Sequence, residues 1–187
     1  MAAARNLSLA GYEVVISNSR GAESLSALAK SLGSNVKAGS VPEVGRADVV
    51  FLAVPWNHLK QAVSAVPSWQ ERIVIDPTNP IVMPGFQLAD LGGKTSSEVV
   101  AELVPGGKLV KAFNTLTPAL LAANPREAGG QRVIFFSGND ASAKTIVAGI
   151  INKIGFAGID LGELSGGGKL QQFPGGPLPT LNLIKLG

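Results

Sequence analysis

The sequence predicts an α/β protein built on a doubly wound, mostly parallel sheet. Three observations lead there. Short apolar runs dense in Val, Ile and Phe alternate with longer amphipathic segments, the pattern of βαβ units. The apolar runs are nearly continuous, as strands covered on both faces are. Gly and Pro number 23 and 12 among 187 residues, which suits many tight connections better than a bundle of long helices.

The elements follow in order. The chain opens on a helix over Ala2 to Ala10, ended by Gly11 in the position where helices favour glycine. A strand at Glu13 to Ser17, a helix at Glu23 to Leu32 closed by Gly33, and a short strand at Asn35 to Ala38 come next. A short helix at Val41 to Gly45 leads to a strand at Asp48 to Val54, and a helix at Asn57 to Val66 to a strand at Arg72 to Asp76. Ser96 to Leu103 reads as helix, Lys108 to Phe113 as strand, Pro118 to Ala123 as helix and Arg132 to Ser137 as strand. Asp140 can cap a helix over Ala141 to Ile154, Gly155 can end it, and Gly158 to Leu161 forms the last strand. Leu164 to Gly187 departs from this grammar, with Gly166-Gly167-Gly168, then Pro174-Gly175-Gly176-Pro177, then an apolar tail from Leu178 to Leu186. It reads as a connection that closes over a second ligand, docks a partner subunit in a homodimer, or simply crosses the surface. Residues 1–163 are thus expected to form a nucleotide-binding domain, with 164–187 a Gly/Pro-rich segment of the same domain.

One feature of a doubly wound fold is missing from this order. Such folds begin with a strand and a glycine-rich turn, and the strand ending in Ser17-Asn18-Ser19-Arg20 ends as a second strand does. The expectation is a domain that lacks its first strand and glycine-rich loop, because these would lie before Met1. In the strand order 3-2-1-4-5-6 the first strand is central, so its loss leaves two facing edges without ladder partners. The alternative is direct pairing of the strands on either side.

Composition narrows the chemistry. The chain has no Cys and one His, so disulfides, thiolate metal sites, cysteine nucleophiles and His-pair zinc sites are unavailable within it. No side chain is assigned a catalytic role and no metal site is expected. The reaction chemistry must come from a bound cofactor. The net charge of +3 is spread along the chain with no basic run, which argues against nucleic acid and for small anions. No apolar run is long enough to span a bilayer, and no secretory leader is visible. The expectation is a cytoplasmic protein without a membrane partner.

The candidate binding residues sit at strand ends, where open α/β sheets bind ligands. Asn18, Ser19, Arg20 and Gly21 follow the Glu13 to Ser17 strand. A neutral residue beside Arg leaves room for a ribose 2′-phosphate and supplies its counter-charge, which favours NADP over NAD. An ordinary polar turn is the competing reading. After the next strand but one stand Ala53, Val54, Pro55 and Trp56, with Trp56 either shielding a nicotinamide from water or anchoring the core. His58, alone, reads as a surface or cap residue. Asn79 and Asn114 hold the same position on the two following strands, in Asp76-Pro77-Thr78-Asn79-Pro80 and Lys111-Ala112-Phe113-Asn114-Thr115. Either can orient a carboxamide or ribose hydroxyl, and either alone can be a turn former.

With these residues placed, the chain resembles the NADP oxidoreductase, coenzyme F420-dependent family, whose nucleotide domain is Rossmann-like. The resemblance rests on Val14-Val15-Ile16-Ser17-Asn18-Ser19-Arg20-Gly21, Leu52-Ala53-Val54-Pro55-Trp56, Ile75-Asp76-Pro77-Thr78-Asn79-Pro80, Val110-Lys111-Ala112-Phe113-Asn114-Thr115, and Leu170-Gln171-Gln172 with Pro174-Gly175-Gly176-Pro177-Leu178. It implies that Ser19 and Arg20 hold the 2′-phosphate, that Val54, Pro55 and Trp56 lie along the nicotinamide half, and that Asn79 and Asn114 line the crevice. It implies hydride transfer between NADP(H) and a second planar redox cofactor, coenzyme F420 or a flavin, as the small-molecule partner. The sequence departs from some family members at Ser24, where a Lys near the 2′-phosphate is replaced by an uncharged residue. The competing reading is an NADP-binding regulatory or sensor module without catalysis, or an inactive fragment.

Overall fold

The computed structural model describes all 187 residues. Helix α1 (Ala2–Leu9) leads into β1 (Val14–Ile16), a 3-10 turn at Ala22–Leu25, α2 (Ser26–Leu32) and β2 (Val36–Ala38). Helix α3 (Val41–Val44), β3 (Val49–Phe51), a 3-10 turn at Trp56–His58, α4 (Leu59–Ser64) and β4 (Ile73–Asp76) follow. A small hairpin, β5 (Ile81–Val82) and β6 (Gln87–Leu88), precedes α5 (Ser96–Leu103) and β7 (Lys108–Ala112). Then come α6 (Pro118–Ala122), β8 (Arg126–Glu127), β9 (Gly130–Gly138), α7 (Ala141–Lys153), β10 (Ala157–Asp160), α8 (Leu164–Gln171) and β11 (Ile184–Leu186).

The main sheet runs in the order β10-β9-β7-β4-β3, with β8 and β11 added to β9. Its β3-β4-β7 and β9-β10 ladders are parallel, while β7 meets β9 antiparallel. Strands β1 and β2 form a separate parallel pair. No strand lies between β1 and β3, and β1 pairs only with β2. The expected pair of unpartnered edges is therefore present, and direct pairing of β1 with β3 does not occur. A strand twists and pleats to fit its own neighbours, and β3 keeps its register with β4 through Val49, Val50 and Phe51.

Side chains alternate across the sheet and build two cores. Ile73, Ile75, Val110, Ala112, Ile134 and Phe136 face α7 residues Val147 and Ile151, with α1 residues Ala3 and Leu7 packed alongside. Val74 and Leu109 point the other way, against Leu59 and Val63 of α4, Val100 of α5 and Leu164 of α8. Sheet and helices thus make three layers, which covers both faces of the strands as their apolar sequence requires.

The elements expected from Ala2 to Leu161 are present, with ends moved by a few residues. The strand expected over Asp48 to Val54 is shorter, since Pro55 and the exposed Ala53 end its pairing. The Gly-rich segment is corrected: Gly166, Gly167 and Gly168 lie inside α8, and the apolar tail contains β11. Helix α8 tolerates these glycines because it packs closely on the sheet. A Cβ on Gly167 would stand 2.6 Å from the Cβ of Ser137 and 2.8 Å from the Leu161 carbonyl. Only a bare backbone can approach so near.

Candidate functional site

The turn after β1 is braced from within. Asn18 Oδ1 accepts from the Arg20 backbone N–H at 2.8 Å, Asn18 Nδ2 donates to Ser24 Oγ at 3.0 Å, and Ser24 Oγ donates to the Gly21 carbonyl at 2.7 Å. Asn18 and Ser24 therefore spend their polar atoms holding the turn. Ser19 and Arg20 are exposed, and no carboxylate pairs with the Arg20 guanidinium. Gly21 takes a φ of 89°, and nothing lies within 4 Å of where its Cβ would stand. A free guanidinium fork, a free hydroxyl and open backbone fit a phosphate monoester.

The turn after β3 places Ala53 and Pro55 on the surface, with Val54 and Trp56 half-buried against the α4 and α5 side of the core. Trp56 begins the 3-10 turn that His58 ends, and His58 is exposed. The hairpin of β5 and β6 packs beside this turn. Its tip leaves Met83, Phe86 and Leu88 more than half exposed, at 57%, 59% and 54%. Phe86 meets Phe173, beyond α8, edge to face with ring centroids 6.2 Å apart. These apolar groups lie on the hairpin that follows Asn79 in the chain.

Across β4, β7 and β9 runs a polar row that composition alone does not show. Asp76 pairs in register with Lys111 across β4 and β7, and Lys111 with Ser137 across β7 and β9. All three are fully buried at 0% exposure on the face that carries α8. Lys111 Nζ donates to Asp76 Oδ2 at 3.0 Å and also to the Thr78 carbonyl. Asp76 Oδ1 accepts from the Thr78 N–H at 2.8 Å and the Thr78 hydroxyl at 2.6 Å. Burial holds the Lys111 ammonium below the ordinary lysine range, with Asp76 pulling it partly back. The pair fixes the Asp76-Pro77-Thr78 turn and hence the residue after it, Asn79.

Gln171, the last residue of α8 and also fully buried, closes the row from above. It accepts from Ser137 Oγ at 2.7 Å and donates to the Phe135 carbonyl at 3.0 Å. Asn114 Nδ2 donates to the Gln171 carbonyl at 2.7 Å and to Asn79 Oδ1 at 3.0 Å. Asn114 is reached through Phe113, a buried aromatic residue held at a φ of 67° and packed 5.1 Å from Phe51. Bulky residues rarely adopt that conformation, and here it turns the chain sharply at the end of β7.

The structure thus brings Asn79 and Asn114 into direct contact and sets Trp56 beside the neighbouring hairpin. The Asn18–Gly21 turn stands apart, on the separate β1-β2 pair. Sequence reasoning missed Lys111 and Gln171. A lysine within a run of buried apolar residues, one strand from an aspartate at the same strand end, is the signal that could have found the first. Two surface concavities, one around Arg126 to Gln131 and Lys185 to Gly187, the other around Lys60 to Trp69 and Pro105, contain none of these residues.

Comparison with known proteins bears on this site. Residues 1–80 match the model of the NADP oxidoreductase, coenzyme F420-dependent family. The match covers less than half of the chain. Those 80 residues include the Arg20 turn, the Pro55-Trp56 turn and Asn79. A crystal structure of a hypothetical protein, SMa0349, from Sinorhizobium meliloti is 47% identical with a TM-score of 0.92, over 98% of this chain and 89% of that one. A protein from Arthrobacter sp. FB24, provisionally assigned as an F420-dependent NADP reductase, is 27% identical with a TM-score of 0.72, over 87% of this chain and 80% of that one. Metalloreductase STEAP3 from Rattus norvegicus is 29% identical over 173 residues, 91% of this chain and 33% of its own length. The chain spans a quarter to a third of the length of the curated relatives it matches. No helix is long and apolar enough to cross a membrane.

Proposed function

We propose that this chain belongs to that family and is an NADP(H)-dependent oxidoreductase that passes a hydride between nicotinamide and a second planar redox cofactor, coenzyme F420 or a flavin. The observation that carries the reading is the turn after β1, where an exposed Arg20, in no ion pair, stands beside Ser19 and Gly21. It is the arrangement that takes a ribose 2′-phosphate rather than a ribose hydroxyl. The nicotinamide and the second ring, when bound, supply all the electron transfer between them.

The side chains have binding and shielding work only. Ser19 and Arg20 hold the phosphate; Ala53, Val54, Pro55 and Trp56 border the ring and keep water from it; Asn79 and Asn114 form the polar floor. Asn18 contributes by holding the Arg20 turn. The exposed apolar rim of Met83, Phe86 and Leu88 suits the face of a second planar group. No protein acid or base is required for hydride transfer between two stacked rings, which agrees with a chain that has one exposed His and no Cys. Residues 1–163 and 164–187 act as one domain in this reading, because α8 completes the floor through Gln171. A cytoplasmic location and, through the segment after α8, a homodimer belong to the same proposal.

The test is stopped-flow loss of reduced-nicotinamide absorbance with coenzyme F420, FMN or a ferric chelate as acceptor. Oxidation with one of these is expected. Tight NADPH binding with no oxidation by any acceptor would replace the enzyme with a nucleotide-binding module.

A further inference from the structure

The direction of the Asn79 side chain is dictated by backbone carbonyls, and that direction has a chemical meaning. We propose that Asn79 is a preset hydrogen-bond donor that recognises a carbonyl oxygen on a planar ring in the crevice, aimed from α8 through Gln171 and Asn114. The inference rests on the nucleotide-and-ring reading above.

A carbonyl oxygen can only accept a hydrogen bond. Gln171 Nε2 faces the Phe135 carbonyl at 3.0 Å and the Lys111 carbonyl at 3.4 Å, so the NH2 end of Gln171 must lie there. Its other end, Oε1, takes the Ser137 hydroxyl. Asn114 Nδ2 faces the Gln171 main-chain carbonyl at 2.7 Å, and Asn114 Oδ1 faces Gln171 Nε2 at 3.4 Å. Turning Asn114 over would set oxygen against oxygen and nitrogen against nitrogen at both contacts. Its second N–H therefore points at Asn79, and Asn79 must answer with Oδ1, at 3.0 Å. That leaves Asn79 Nδ2 directed away from the network. It has no acceptor within the protein and is not among the buried polar atoms left without one. On a half-buried residue, it offers two N–H donors with no competing acceptor.

The hairpin that follows Asn79 in the chain carries the exposed apolar residues Met83, Phe86 and Leu88. Donor and apolar wall together select a flat group that is apolar on its face and carries a carbonyl at its edge. Two sources offer that chemistry: the nicotinamide carboxamide, and the pyrimidinedione edge of a flavin or deazaflavin. Asn79 determines specificity here, and Asn114 is a positioning residue acting through it.

The experiment is calorimetry of the full chain with three probes: NADP+, 2′-phospho-ADP-ribose, which is the same nucleotide without its nicotinamide, and FMN. Asn79→Asp keeps an oxygen for Asn114 but presents a second oxygen to the ligand. It should weaken the probe whose carbonyl meets position 79 by roughly tenfold or more. Binding of 2′-phospho-ADP-ribose, which carries the same phosphates and so controls for their repulsion by the added carboxylate, should change far less. Loss for NADP+ alone assigns the carbonyl to nicotinamide, and loss for FMN alone assigns it to the second ring. Asn114→Leu, which frees Asn79 to turn over, should lower the preference for that same probe over 2′-phospho-ADP-ribose. A merely structural role for Asn114 would weaken all probes alike.

Equal losses for all three probes with Asn79→Asp, or none, overturn the inference while leaving the nucleotide reading intact. If the wild-type chain does not bind 2′-phospho-ADP-ribose, the nucleotide reading falls instead. Asn79 is then judged on FMN, and absence of FMN binding overturns it as well.

Discussion

Replacing Lys111 with Met leaves the Asp76 carboxylate in a fully buried position without its counter-ion, and the geometry gives the size of the effect. The charges stand 3.0 Å apart, which at an effective dielectric near 20 is an attraction of about 5.5 kcal/mol. Desolvation of the pair offsets much of that in the wild type, but the single substitution removes the attraction and leaves the carboxylate desolvated. Asp76 keeps its two hydrogen bonds from Thr78, so the expected loss is roughly 3 to 5 kcal/mol, the usual range for breaking a buried pair. For a chain of this size that is a fall of roughly 6 to 20 °C in Tm. Lys111→Met with Asp76→Asn removes both charges and keeps an oxygen for Thr78, and it should recover most of the loss. Urea denaturation followed by circular dichroism measures all three proteins. The pH dependence is a second signature. Lys111 has a lowered folded value, so between that value and the unfolded one near ~10.4 the unfolded chain binds more protons than the native. The Lys111 contribution to stability therefore rises with pH across that window, and Lys111→Met should abolish the rise. A single substitution costing less than about 1 kcal/mol, or a double variant no more stable than the single, would refute the reasoning.

Three further outcomes follow from the same structure. Arg20→Ala should weaken NADP+ by roughly tenfold or more through loss of a charge-assisted fork, and weaken NAD+ little; calorimetry showing equal losses removes the 2′-phosphate assignment. Gly167→Ala and Gly166→Ala should have opposite signs. The first drives a Cβ into Ser137 and Leu161, while the second meets nothing within 4 Å and gains up to about 1 kcal/mol of helix propensity. Thermal melts that move the same way for both would contradict the close packing of α8. The Glu98 carboxyl is held below its ordinary range by the Thr95 backbone N–H and hydroxyl in a capping box. Its contribution is thus present above the unfolded value near ~4.3 and lost as pH falls through the lower folded value. Glu98→Ala should be less stable than wild type at neutral pH and converge with it in acid, and a difference independent of pH would be the wrong result.

The sequence carried the layers of the fold clearly because burial on two faces leaves so direct a trace. Strands such as Ile73–Asp76 and Lys108–Ala112 need apolar residues at nearly every position, and helix ends such as Asp140 and Gly155 need their particular side chains or lack of them. The Gly-rich segment failed to announce α8 because propensity and packing oppose each other there. Three successive glycines are poor helix formers, yet Gly167 is the residue that lets the helix lie on Ser137. The hairpin of β5 and β6 escaped notice since two-residue strands carry no usable periodicity. At the site, the strand-end positions of Arg20, Asn79 and Asn114 were legible from fold logic. The contact between Asn79 and Asn114 was not, because it depends on the turn at Phe113 and on a residue from α8.

That last dependence ties stability to recognition. The Asp76–Lys111 pair and Thr78 fix the turn that carries Asn79, and Ser137 and Gln171 fix Asn114 opposite it. Each of these side chains is a buried polar group whose partners are all internal, so the row costs stability unless every member is satisfied. An apolar row of equal volume would hold β4, β7 and β9 together at least as well. What it could not do is set the direction of the Asn79 amide. On the recognition proposed above, the polar row supplies one thing that packing does not: a donor at Asn79 that needs no reorganisation when a carbonyl arrives.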